Sequence, residues 1–113
     1  YLAAKKISNN ITVIFRPHRY SRTKILMNEF VSVLSKIKNL YILKTYPAGE
    51  KLIKGATAKN LFLNLLKKNK NTIYVDKENL LYKHLYKHTS HKKLIIFMGA
   101  GSISKMAYNF IKK

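Results

Sequence analysis

Four short apolar runs alternate with longer stretches in which apolar residues recur every three or four positions. The runs are Ile11–Phe15, Leu40–Leu43, Thr72–Val75 and Leu94–Met98. They are nearly continuous and rich in β-branched or bulky apolar residues, the pattern of strands covered on both faces. After the first, Leu26, Phe30, Val33, Leu34 and Ile37 form one stripe of a helix that opens near Thr23, with Thr23 or Ser21 as its cap. Thr57 is placed to cap a second helix, whose stripe is Leu61, Phe62, Leu65 and Leu66. Asp76 heads a third with Leu80, Leu81 and Leu85, and a fourth runs from Ile103 to Ile111 with Ile103, Met106, Ala107 and Phe110 inward. No hairpin signal separates the runs. The alternation predicts an α/β fold: a three-layer, Rossmann-like domain with a mainly parallel sheet of four strands.

Right-handed crossovers then bring every strand-to-helix loop to the carboxyl edge of the sheet. Three unusual segments meet there: Arg16–Thr23, Thr45–Gly55 and Gly99–Ser102. The first residues, Tyr1 to Ile7, read as the last turns of a helix with no start of its own, followed by a turn at Ser8-Asn9-Asn10. The expectation is one domain over residues 1–113, truncated at its N-terminus.

Composition changes this picture in two ways. The formal net charge is +19, which by itself points to a polyanion. The lysines lie in every segment, however, among abundant Asn, Ile and Tyr, so a chain-wide bias explains them and nucleic-acid binding is only the alternative reading. There is no cysteine, hence no disulfide or thiolate metal site. No apolar stretch approaches the roughly 18 residues of a membrane span, and a cytoplasmic location is expected.

The arginines are the exception to the scatter. All three, Arg16, Arg19 and Arg22, fall in the first loop. A guanidinium grips a carboxylate or phosphate with two parallel hydrogen bonds, which an ammonium does less well. Arg19 and Arg22, three residues apart, can close on one anion with His18 beside them, while Arg16 ends the strand. In the second loop Glu50 is one of only four acids, and an ion pair with an arginine is its expected role. Gly49 and Gly55 serve turns. In the third loop Gly99, Gly101 and Ser102 allow close backbone approach at a helix start. They lack the full dinucleotide fingerprint. His84, His88 and His91 include an i, i+4 pair, but without a carboxylate or thiolate they are expected to be a solvated helix face rather than a metal site. No catalytic set can be placed.

Phe15 to Thr23, Tyr46-Pro47-Ala48-Gly49-Glu50, Lys54-Gly55-Ala56 and Met98 to Ile103 together resemble the C-terminal domain of the UDP-N-acetylmuramate–L-alanine ligases, the alanine-adding Mur ligases of peptidoglycan synthesis. The resemblance covers nearly the whole chain. It implies a three-domain, ATP-dependent, amide-forming enzyme in which this domain positions the amino acid. ATP and Mg²⁺ would be bound mainly outside this chain, and UDP-N-acetylmuramate, L-alanine and the other two ligase domains would be its partners. The sugar's carboxylate would be activated as an acyl phosphate and attacked by the alanine amine. By motif, His18, Arg19 and Arg22 would hold the alanine carboxylate, and Glu50, Gly99, Gly101 and Ser102 would line the cleft. Ser102 stands where the family commonly has Asn. The family's glycine-rich ATP loop is absent, so the isolated chain is expected not to catalyse ligation.

Overall fold

In the computed structural model, residues 11–88, 94–99 and 103–112 are described. The strands are β1 (Ile11–Arg16), β2 (Asn39–Leu43), β3 (Ile73–Val75) and β4 (Leu94–Gly99). The helices are α1 (Tyr20–Leu34), α2 (Ala58–Leu66), α3 (Glu78–His88) and α4 (Ile103–Lys112). All strand pairs are parallel and the order is β3-β2-β1-β4. The α/β alternation predicted by the apolar runs is therefore present.

Strand alternation divides the core. Ile11, Val13, Leu40 and Ile42 face Leu34, Ala58, Leu61 and Leu65, so α1 and α2 cover one side. Ile14, Tyr41, Leu43 and Val75 face Leu81, Leu85, Ile103 and Met106, so α3 and α4 cover the other. The chain winds outward from β1 to β3 and then returns past β1 to form β4. Right-handed crossovers require the helices to change face at that reversal, and they do. The switch point lies between β1 and β4, where doubly wound sheets open their ligand crevice.

Several expected details differ. Val33 and Leu80 are exposed at 62% and 51%. The stripe of α1 instead turns Thr23, Met27, Phe30, Val31 and Leu34 inward, and on α3 Tyr82 is buried beside Leu81 and Leu85. Helix α1 begins at Tyr20 with Arg19 as N-cap and no side-chain cap. Thr23 is not a cap: it is fully buried and its Oγ1 donates to the Arg19 carbonyl at 2.9 Å. In α3 the opening carbonyl belongs to Lys77, which accepts from Leu81 N at 3.2 Å, one residue beyond the expected Asp76.

Thr57 caps α2 as predicted, in a capping box with Asn60. Thr45 Oγ1 adds a further acceptor for Ala58 N at 2.8 Å. Thr57→Ala should cost about 1 kcal/mol, read as a shift of the denaturant midpoint at unchanged slope.

Candidate functional site

The site grows from the end of β1. Pro17 is buried and ends the strand, but the β1–β2 pairing continues beyond it. Tyr46 N donates to the Pro17 carbonyl at 2.9 Å, and Arg19 N donates to the Tyr46 carbonyl at 2.8 Å. His18 and Tyr46 form a parallel bridge, and their rings stack with centroids 5.8 Å apart. The first and second loops are thus sewn together by backbone before any side chain of the site is placed.

This stitching holds Arg19 at φ 68 and ψ 143, a conformation L-residues rarely adopt. Such strain costs on the order of 1–3 kcal/mol and persists where the surroundings fix it. Here Tyr46 holds the Arg19 N–H, and Thr23 holds its carbonyl through both N–H and hydroxyl. Arg19→Gly should remove the strain, raising stability by about 1 kcal/mol, while deleting a guanidinium from the site. Opposite shifts of melting temperature and ligand affinity would verify the trade.

The second loop turns tightly at Pro47-Ala48-Gly49-Glu50, closed by Glu50 N donating to the Pro47 carbonyl at 3.0 Å. Ala48 and Gly49 both have positive φ, 51 and 85, as a mirror-image turn of this kind demands. The turn aims Glu50 at the start of α1. Its carboxylate accepts from Ser21 N at 3.1 Å and from the Ser21 hydroxyl. These two bonds lower its pKa most, burial opposes them, and a Tyr20 backbone bond and the Arg19 charge add to the lowering. The expected ion pair with an arginine is thus replaced, among the described residues, by hydrogen bonds to Ser21. A carboxylate satisfies the free N–H groups of a helix start at shorter range than it would meet a mobile guanidinium.

Arg19 and Arg22 are both exposed and line one cavity of about 360 Å³ with His18 and Ser21. An adjoining cavity of about 260 Å³ is lined by Arg16, His18, Arg22 and Gly99, with Phe15 and Phe30 as an edge-to-face aromatic wall. The three predicted carboxylate-binding residues are therefore together, and Gly99 joins them from β4. Gly101 and Ser102 lie outside the described residues.

Arg16 points the other way. Its terminal nitrogen reaches Met106 Sδ at 3.4 Å beneath α4. Gly99 lies close against the Arg16 backbone: it pairs with Arg16 in register, and a Cβ there would lie 2.3 Å from the Arg16 carbonyl oxygen. The histidine face on α3 also differs from expectation. His84 is half-buried and its Nδ1 lies 2.6 Å from the Tyr41 hydroxyl, whose pKa burial raises. His91 and the side chain of His88 lie outside the described residues.

Sequence reasoning missed Tyr46, Ser21 and Thr23 as supports of the site. Ser21 and Thr23 were legible as polar residues at a helix start. The partners that give them their roles lie in another loop or behind a backbone turn.

The geometry defines a class: a doubly wound α/β domain that carries two exposed guanidinium groups on the loop after β1, beside the switch point. No protein-family model matches the chain. Individual proteins do. A UDP-N-acetylmuramate–L-alanine ligase from Lachnospira eligens is 36% identical over 110 residues, 97% of this chain and 24% of that protein. The ligase of the same name from Aquifex aeolicus is 39% identical over 104 residues, 92% of this chain and 22% of that protein. One from Buchnera aphidicola is 36% identical over 107 residues, covering 94% and 22%. The chain is similar to alanine-adding Mur ligases along almost all of its length, and spans about a quarter or less of the length of these relatives.

Proposed function

We propose that this chain is the C-terminal, amino-acid-positioning domain of a ligase that joins L-alanine to UDP-N-acetylmuramate in peptidoglycan precursor synthesis. The observation that carries the reading is the coincidence of two facts. The chain matches ligases of that name over nearly its full length, and its three motif residues His18, Arg19 and Arg22 line one cavity at the start of α1.

In this reading Arg19 and Arg22 hold the carboxylate of alanine. Two forks on one carboxylate fix its orientation as well as its position. His18, stacked on Tyr46, supplies a further polar contact. The alanine amine is left to face the activated carboxylate of the sugar across the cleft. Holding a nucleophile in an attack geometry can lower the barrier substantially by removing translational and rotational freedom. The methyl group meets the apolar wall of Phe15 and Phe30, which limits the size of the side chain accepted.

Nucleotide and magnesium belong, in this reading, to the parts of the ligase outside this chain. A phosphate at a helix start needs free N–H groups, and at α1 the Glu50 carboxylate already takes the Ser21 N–H. Bound ATP would activate the sugar carboxylate, and no step of that activation is assigned to this chain. No described helix is long and apolar enough to cross a membrane. A cytoplasmic ligase acting on soluble precursors accords with this.

The test is ligation by a full-length ligase carrying this domain, with alanine varied at saturating ATP and sugar nucleotide. The reading expects arginine variants of the rim to change the alanine dependence and to leave the other two substrates' apparent affinities in place. A uniform loss of ATP affinity would oppose it.

A further inference from the structure

We propose that Glu50 is a positioning residue: acting through Ser21, it fixes the start of α1 and so sets where Arg19 and Arg22 point. The inference rests on the amino-acid reading of the rim for its functional consequence, but its structural content stands separately.

Helix α1 has no acid in its first turn, and its N-cap residue makes no side-chain capping bond. Its start is completed instead from 29 residues away, by the two bonds from Ser21 to Glu50. Ser21 is the second residue of the helix, between the N-cap Arg19 and Arg22. A hydrogen-bonded carboxylate at that point draws the second loop onto the helix start. It also opposes relaxation of Arg19 from its strained φ, because relaxation would swing the Ser21 N–H away. The turn at Ala48 and Gly49 keeps Glu50 in reach, and the Tyr46 bridge keeps the turn in register. An anion in place at the helix N-terminus has one more consequence. The helix dipole is already answered by the protein's own carboxylate, so the guanidinium groups supply the attraction for an incoming anion.

A carboxyl held below its ordinary value keeps the latch closed above that value and releases it only as pH falls through the lower, folded value. The Glu50 carboxyl is therefore ionised, and able to accept from Ser21, at neutral pH.

The first measurement is on the 113-residue chain itself. Isotope-labelled protein reports the Arg19 and Arg22 Nε–H signals, the Arg19 Cα shift and the Ser21 amide. In E50Q and in S21A all four should move, with E50D returning them most of the way, and in the unsubstituted chain the Ser21 amide should titrate only below the ordinary carboxyl value. Arginine signals unmoved in an E50Q chain that retains its circular dichroism would overturn the proposal. The second measurement is kinetic, in a ligase carrying this domain. E50Q should raise the alanine KM about tenfold, as loss of one charge-assisted bond would, with kcat within about twofold. The E50Q S21A pair should be no worse than E50Q alone, because the two residues act as one unit. If R22A raises the alanine KM and E50Q does not, the positioning role is wrong. If neither does, the amino-acid reading is wrong and the arginine signals alone decide the latch.

Discussion

Arg22→Ala should raise the apparent KM for alanine by about a hundredfold in a ligase carrying this domain, with kcat changed much less. The magnitude follows from losing a charge-assisted fork on a carboxylate, about 2–3 kcal/mol, where each 1.4 kcal/mol is a factor of ten. Arg22 is the larger lever because it lines both cavities of the rim, whereas Arg19 lines the first. Arg22→Lys should recover only part of the loss, since an ammonium keeps the charge but not the planar fork. The KM-weighted pattern distinguishes ground-state binding of alanine from a failure of the chemical step. A fall in apparent kcat with all three KM values unchanged would indicate a folding defect instead.

Gly99→Ala should destabilise the domain by about 3 kcal/mol or more, seen as a melting temperature lower by on the order of 15 °C. Two causes act together. Gly99 has φ 132, which side-chain-bearing residues rarely adopt, and its added Cβ would sit 2.3 Å from the Arg16 carbonyl oxygen and 3.0 Å from the Arg16 nitrogen. Both obstacles are backbone, so no rotamer change relieves them. The strain falls on the β1–β4 pair, directly under the arginine loop, so the variant should lose ligand affinity as well as stability. A melting temperature within about 3 °C of the parent chain would show that β4 can shift along β1 without penalty.

Much of the fold could be read from the apolar runs. Runs such as Ile11–Phe15 gave the strands because both faces of a central parallel strand are buried, and Val13 and Ile14 are indeed fully buried on opposite faces. Strand order could not be read, because nothing local in β4 says that it pairs with β1 rather than β3. Helix faces were legible only in part. Val33 satisfies the spacing of the α1 stripe yet is exposed, since the face is set by what packs on it, here α2 and the sheet. Thr23 was hidden in the opposite sense, a polar residue fully buried because its hydroxyl is spent on the Arg19 carbonyl.

The site shows the same division. Clustering of the arginines in one loop was legible in the sequence, and Arg19 and Arg22 do line one cavity with His18. The supports were illegible because each is a contact between distant segments: Tyr46 on His18, and Glu50 on Ser21. The expectation for Glu50 failed on a matter of degree. Sequence proximity to basic residues favours an ion pair, while the folded chain offers a preformed helix start closer to hand. His84 likewise looked like solvent-facing charge on α3 until Tyr41 of the neighbouring strand came within hydrogen-bonding distance.

The most direct measurement of the central claim compares L-alanine with L-alaninamide, which keeps the amine and methyl group but lacks the carboxylate. In a ligase carrying this domain, the parent rim should favour alanine over the amide by about a hundredfold in kcat/KM, and an R19A R22A rim should discriminate by less than about threefold. Full discrimination retained without the two arginines would mean that the carboxylate is read elsewhere.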